Sequence, residues 1–198
     1  MMYLGTYTAY DGKKIQSKLL ITDQFQQFNI HTLKGSAIQG KGMAIFPRKI
    51  KGQYTAIGRQ DGVNMTLMQS QDLLSWDKMQ LLQAPRAPFE YVQMGNCGSP
   101  IETPEGWLLL THAVGPVRRY VLGATLLDLE HPNKIIKTLN WPLMSPLEAE
   151  REGYVPNVLY TCGWLQHHDH IIIPYAMADS ACSFAKIGIH MLVETLLT

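Results

Sequence analysis

Cysteine is scarce in this sequence: three residues in 198, Cys97, Cys162 and Cys182, with no Cys-x-x-Cys spacing. An odd count without that spacing suggests neither a disulfide framework nor a zinc cluster, and reads as reduced, structural thiols. Charge of one sign is also lacking, since 17 Lys plus Arg stand against 16 Asp plus Glu. A nucleic-acid or polybasic membrane module needs a basic surplus, so the balance argues against both. No run approaches the roughly 18 apolar residues of a membrane span. The opening MMYLGTYTAYDGKK lacks the charged-then-apolar order of a secretory leader. With Met1 as the true start, the expectation is a cytoplasmic protein. Apolar content is plentiful: hydrophobic residues make up 46% against 17% charged. That suffices for a sizeable core and excludes wholesale disorder.

Helical periodicity is weak throughout. Short apolar runs rich in Tyr, Ile, Val, Thr and Leu recur instead, as at Tyr3–Tyr10, Lys18–Thr22, Gly106–Val114 and Arg119–Leu127. Turn formers such as Asp11-Gly12, Asp61-Gly62 and Gly115-Pro116 separate them. This pattern predicts an all-β fold, with later strands over Pro156–Leu165, His170–Tyr175 and Phe184–Val193. Met191–Leu197 reads as either a helical turn or a closing strand.

A repeat selects among all-β architectures. Paired strands followed by an Asp-led turn occur around Asp23, Asp72 and Asp128, and a fourth unit from Asp169 repeats the strands without the turn. The period of roughly 50 residues is that of a four-stranded propeller blade. The chain is expected to hold about three such blades plus closing strands in one domain, 1–198. Propellers remove their edges by closing. Either this is a piece of a longer protein, or a second copy covers the open edges.

Loops between paired strands gather at the mouth of a propeller channel, where ligands are held. Tyr10, Asp11, Asp61, Tyr175 and Asp179 fall at that phase of the repeat, as do Arg59 and His112. Lys41 precedes a neighbouring strand. Lys41, Arg59 and His112 converging would form an oxyanion pocket, with Arg gripping two oxygens and Lys supplying a point charge. The bland alternative pairs Arg59 with Asp61, solvates Lys41 and makes His112 a hydrogen-bonded core residue. Carboxylates with aromatic neighbours suit a sugar, although Asp-Gly is also a turn signal in its own right. Met94–Thr103 is not a phosphate loop, having no Lys-Ser/Thr ending; it reads as a tight crossing, with Gly95 and Gly98 permitting close backbone approach. His167, His168, Asp169 and His170 read as a hairpin turn rather than a metal site.

The ordered segments YLGTYTAYDG, KGMAIFPRKIKGQY, GNCGSPIETPEGWLLLTHAVGP, EREGYVPNVLYTCG and IIIPYAMADS resemble glycoside hydrolase family 130. That family contains β-mannoside phosphorylases and some β-mannosidases on a five-bladed propeller. The resemblance implies that Lys41, Arg59 and His112 hold inorganic phosphate, a co-substrate, with no further cofactor. It implies that Asp179, with Tyr175 beside it, lies near the sugar. Thr111, Ala113 and Gly42 depart from the family's Tyr, Gly and Asn. The family's general acid belongs to a Glu-Asp-Pro-Arg motif that this sequence lacks, so the acid is expected upstream of Met1 and the chain resembles the C-terminal part of a member. Inverting phosphorolysis of a β-mannoside is the leading expectation. A hydrolase using Glu150 or Glu152 as base, or a non-catalytic sugar-binding or self-associating remnant, are the alternatives.

Overall fold

The computed structural model describes residues 2–198, and the polypeptide is laid down as four antiparallel meanders. The first sheet has three strands in sequence order, β1 (Tyr3–Tyr10), β2 (Ile15–Thr22) and β3 (Asn29–Thr32). The second has four, β4 (Lys41–Ile45), β5 (Tyr54–Arg59), β6 (Met65–Ser70) and β7 (Lys78–Gln83). In the third, β8 (Gln93–Asn96) and β9 (Ile101–Thr103) both pair along β10 (Gly106–Val114), followed by β11 (Tyr120–Leu127) and β12 (Ile135–Thr138). In the fourth, β13 (Leu159–Tyr160) and β14 (Leu165–His167) share one side of β15 (His170–Met177), and β16 (Ala181–Gly188) takes the other. A single helix, α1 (Ile189–Leu197), follows.

Why these runs become blades is visible in β10, where all nine residues are buried. An unbroken apolar run marks a strand covered on both faces. Alternation then divides its side chains between two layers. Leu108 and Leu110 join Leu122, Ile171, Ile173 and Leu192 between the third and fourth sheets. Trp107 and Leu109 join Phe46, Ile57, Leu67 and Met94 between the second and third. A third layer, with Leu19, Met43, Ala56, Met68 and Trp76, lies between the first and second. The core is therefore a stack of inter-sheet layers.

The fold is all-β with one helix and a propeller-like arrangement. About three blades plus closing strands were expected, and the described residues build four sheets. The expected strand over Phe184–Val193 is corrected. Strand geometry ends at Gly188, and α1 then presents Ile189, Leu192, Val193 and Leu196 to the core at helical spacing. Pro156–Leu165 holds only the two-residue β13 and the start of β14. Thr161 Oγ1 accepts the Gly163 N–H there and has the Gly163 and Pro174 carbonyls within reach of its single proton, which turns the chain out of the ladder. No helix among the described residues is long and apolar enough to cross a membrane.

Candidate functional site

Four sheets facing one axis leave a cavity of about 660 Å³. Its wall takes Thr6 from β1, Lys41 from β4, Arg59 from β5, Asn96 from β8, His112 from β10 and Tyr160 from β13. Thr6 Oγ1 donates to the Met43 carbonyl, which ties the first sheet to the second beside this wall.

Lys41 and Arg59 are register partners across β4 and β5, which sets them side by side at the irregular end of that pairing. Neither has a carboxylate within 4.0 Å among the described residues. Arg59 does not pair with Asp61, whose Oδ1 accepts the backbone N–H groups of Val63 and Asn64 at 2.9 and 2.8 Å.

His112 is 5% exposed and stands opposite Gly95 on β8. A Cβ at residue 95 would come within 2.6 Å of the imidazole Cε1, so glycine makes room for the ring. The ring lies parallel to Tyr120 at 6.5 Å and edge-on to Tyr160 at 5.1 Å. Burial above all, and then the charge of Arg59, push its pKa down to about 4, against a smaller opposing pull from the Asn96 backbone. The imidazole is therefore neutral at pH 7. Arg59 Nη1 lies 3.4 Å from Nε2; because a guanidinium only donates, Nε2 accepts and the proton sits on Nδ1. Two of the three expected basic groups thus carry the cavity's positive charge, and the third orders one of them.

A smaller cavity of about 240 Å³ adjoins the first, sharing Arg59, His112 and Tyr160 and adding Arg118, Tyr120 and Asp179. Ala178 and Asp179 have φ of 48° and 52°, and Val117 and Arg118 have 53° and 56°. Non-glycine residues rarely adopt such values, and strain of this kind concentrates where loops are shaped for a ligand.

The remaining candidates lie elsewhere. Tyr10 donates its hydroxyl to the Gly12 carbonyl at 2.8 Å on the exposed hairpin tip. Asp11 accepts the N–H groups of Lys14 and Lys13, which hold its carboxyl below the usual range. Tyr175 donates to Glu150 Oε1 at 2.9 Å, and the other Glu150 oxygen accepts the Leu147 N–H. Tyr10, Asp11, Asp61, Tyr175, Glu150 and Glu152 line neither cavity. Among the residues lining the larger one, none is Asp or Glu.

Sequence reasoning missed Asn96 and Tyr160. Asn96 belongs to the expected Gly-rich crossing, which is corrected at Gly95: Gln93–Asn96 is a strand. Alternation sets Asn96 on the same face as the buried Met94, so periodicity in the sequence gives no sign that it reaches the cavity. At Gly98 the approach is real, since a Cβ there would meet the Gly163 Cα at 2.8 Å.

Known proteins resemble this chain in sequence and fold. The family model for glycoside hydrolase 130, described as β-1,4-mannooligosaccharide phosphorylase, matches residues 1–197. A β-1,2-mannobiose phosphorylase of Listeria innocua is 32% identical over 98% of this chain and 56% of its own length. A 1,2-β-oligomannan phosphorylase of Thermoanaerobacter is 37% identical over 73% of this chain and 49% of its own. The solved β-1,2-mannobiose phosphorylase from Listeria innocua, in complex with β-1,2-mannobiose, superposes with a TM-score of 0.86 at 27% identity. That superposition covers 98% of this chain and 57% of the other. The chain spans about half the length of the curated relatives it matches.

Proposed function

The chain belongs to the glycoside hydrolase 130 family, and from that premise we propose that it supplies the anion-holding cavity of an inverting β-mannoside phosphorylase. The observation that carries the reading is the cross-strand pair Lys41 and Arg59, facing the larger cavity with no carboxylate partner among the described residues. Arg59, half-buried without a carboxylate partner, favours an anion as its counterpart, and the exposed Lys41 beside it adds a second positive charge.

Inorganic phosphate is the co-substrate, and the reaction needs no other cofactor. Arg59 offers a planar fork to two phosphate oxygens and Lys41 a point charge. Neutral His112 adds no charge; accepting from Arg59 Nη1, it fixes the guanidinium edge. Phosphate attacks the anomeric carbon while an acid protonates the departing oxygen. An anionic nucleophile needs no protein base, so the positive wall only has to lower the repulsion on approach. Asp179 lines the adjoining cavity, and in this reading its carboxylate accepts hydrogen bonds from sugar hydroxyls.

The larger cavity's wall presents no carboxylic acid to protonate the leaving oxygen. Loss of general-acid help costs about 10²–10⁴-fold, so the isolated chain is expected to turn over β-mannosides feebly or not at all. A hydrolase would need Glu150 or Glu152 as base; the tether of Glu150 to Tyr175 and Leu147 speaks for the phosphorylase instead. Three free cysteines suit action in the reducing cytoplasm.

Calorimetric titration of inorganic phosphate into the chain tests the proposal. Saturable binding, weakened about tenfold or more in Arg59→Ala and Lys41→Ala, is the expected result. An absence of heat with the wild-type chain, or binding indifferent to both substitutions, would overturn it.

A further inference from the structure

A phosphate site made from two cations has to hold them close together without an anion of its own. The segment that carries Lys41 is held by one side chain. Gln60 Oε1 accepts the backbone N–H groups of both Gln39 and Gly40, at 2.8 and 2.7 Å. Gly40 and Gly58 make this contact feasible. A Cβ at residue 40 would lie 2.5 Å from the Arg59 carbonyl oxygen, and one at residue 58 would lie 2.7 Å from Gln60 Nε2. The strand beyond the clamp is irregular, with a register shift between Lys41 and Ala44 and φ of 72° at Gly42. Regular pairing therefore does not fix Lys41 by itself.

The choice of glutamine here comes at a cost. Gln60 is 8% exposed, and its Nε2 is buried with no hydrogen-bond partner. An unsatisfied buried donor is destabilising. Glutamate would offer the same acceptor oxygen to both N–H groups, but would exchange the orphan donor for an unpartnered, charged oxygen. It would also place a negative charge next to Arg59 in sequence and against the segment leading into Lys41.

We propose that Gln60 is a positioning residue for the phosphate site, clamping the Lys41 segment onto the Arg59 strand with an acceptor that carries no charge. The inference rests on Lys41 and Arg59 being the phosphate-holding pair, and it adds a reason for an amide where a carboxylate would offer the same acceptor with a negative charge.

Inorganic phosphate titrated into the wild-type chain, Gln60→Glu and Gln60→Met, with thermal unfolding of each in phosphate-free buffer, separates the clamp from the charge. Gln60→Glu keeps the acceptor but buries a charge, so it is expected to melt below the wild type and, while folded, to bind phosphate about tenfold or more weakly. A purely structural role would leave its binding intact. Gln60→Met keeps the volume without the acceptor, and is expected to melt lower and to bind severalfold more weakly. Should it fail to fold, Gln60→Glu decides alone. Wild-type binding with Gln60→Glu unchanged overturns the inference and leaves the site standing. No binding by the wild type overturns the phosphate reading and the inference together.

Discussion

His112 has to be uncharged where it sits. Its ring is enclosed by Tyr120, Tyr160 and the Gly95 backbone, and one nitrogen faces a guanidinium. The folded pKa of about 4 lies below the ordinary 6.5, so on acidification the unfolded chain takes up this proton first. Its contribution to stability is complete above pH about 6.5 and is lost as pH falls towards about 4, by up to about 3 kcal/mol. Urea unfolding from pH 7 to 4.5 should show a steeper loss in the wild type than in His112→Gln; parallel curves would mean the imidazole titrates normally. Gly95→Ala drives a methyl into the ring, and overpacking of this kind costs about 1–3 kcal/mol. Its thermal unfolding should drop accordingly, with the imidazole resonances displaced in NMR spectra. At this scale the sequence reveals which residues share the repeat's phase, and Lys41, Arg59 and His112 do reach one cavity. It conceals ionisation, because burial is a tertiary property. Asp11 and Asp61 show the same limit in reverse, since carboxylates that bond their own turns are indistinguishable in sequence from ligands.

Among the elements, the recurring Asp-led turn has a definite mechanical role. Asp72 Oδ1 accepts the N–H groups of Leu74 and Ser75, and Asp128 accepts those of Glu130 and His131 in the same way. In the first sheet the neighbouring Thr22 takes that part, bonding the Phe25 N–H. The Asp72 turn delivers Trp76 into the first inter-sheet layer, where it is fully buried and its Nε1–H donates to the Leu73 carbonyl. Its backbone pairs with Lys34 and Ala37 on the connection from the first sheet. Trp76→Ala should therefore cost about 3–5 kcal/mol, measurable by denaturant unfolding, and should loosen the first sheet from the second. Strands covered on both faces, such as β5, β10 and β11, are legible as apolar runs. The outer β3, β7 and β12 are not, because each is short, β3 and β7 are largely turned to solvent, and β12 is only half-buried. β8 escapes notice for another reason: its Met-Gly-Asn imitates a loop, while the glycine serves a neighbouring ring.

For the molecule as a whole, the surface is larger than its mass requires. A compact monomer of 22.3 kDa exposes about 9,400 Å², whereas this chain exposes 10789 Å². The excess of about 1,400 Å² exceeds the roughly 800 Å² each partner buries in an ordinary interface. Much apolar exposure falls on the first sheet and its β2–β3 connection, where Ile30, Phe25 and Phe28 are 55%, 60% and 47% exposed. There, β1 pairs on one side only. Large apolar patches on open sheets seek cover, and we expect a second copy of the chain to provide it, face against face on the first sheet. Light scattering across a dilution series should then give about twice the chain mass at the concentrated end. The double variant Phe28→Lys, Ile30→Lys, altered only at exposed positions, should return it to a single chain with its melting temperature kept. A wild type that scatters as one chain throughout would sink the expectation, as would a double variant that still pairs.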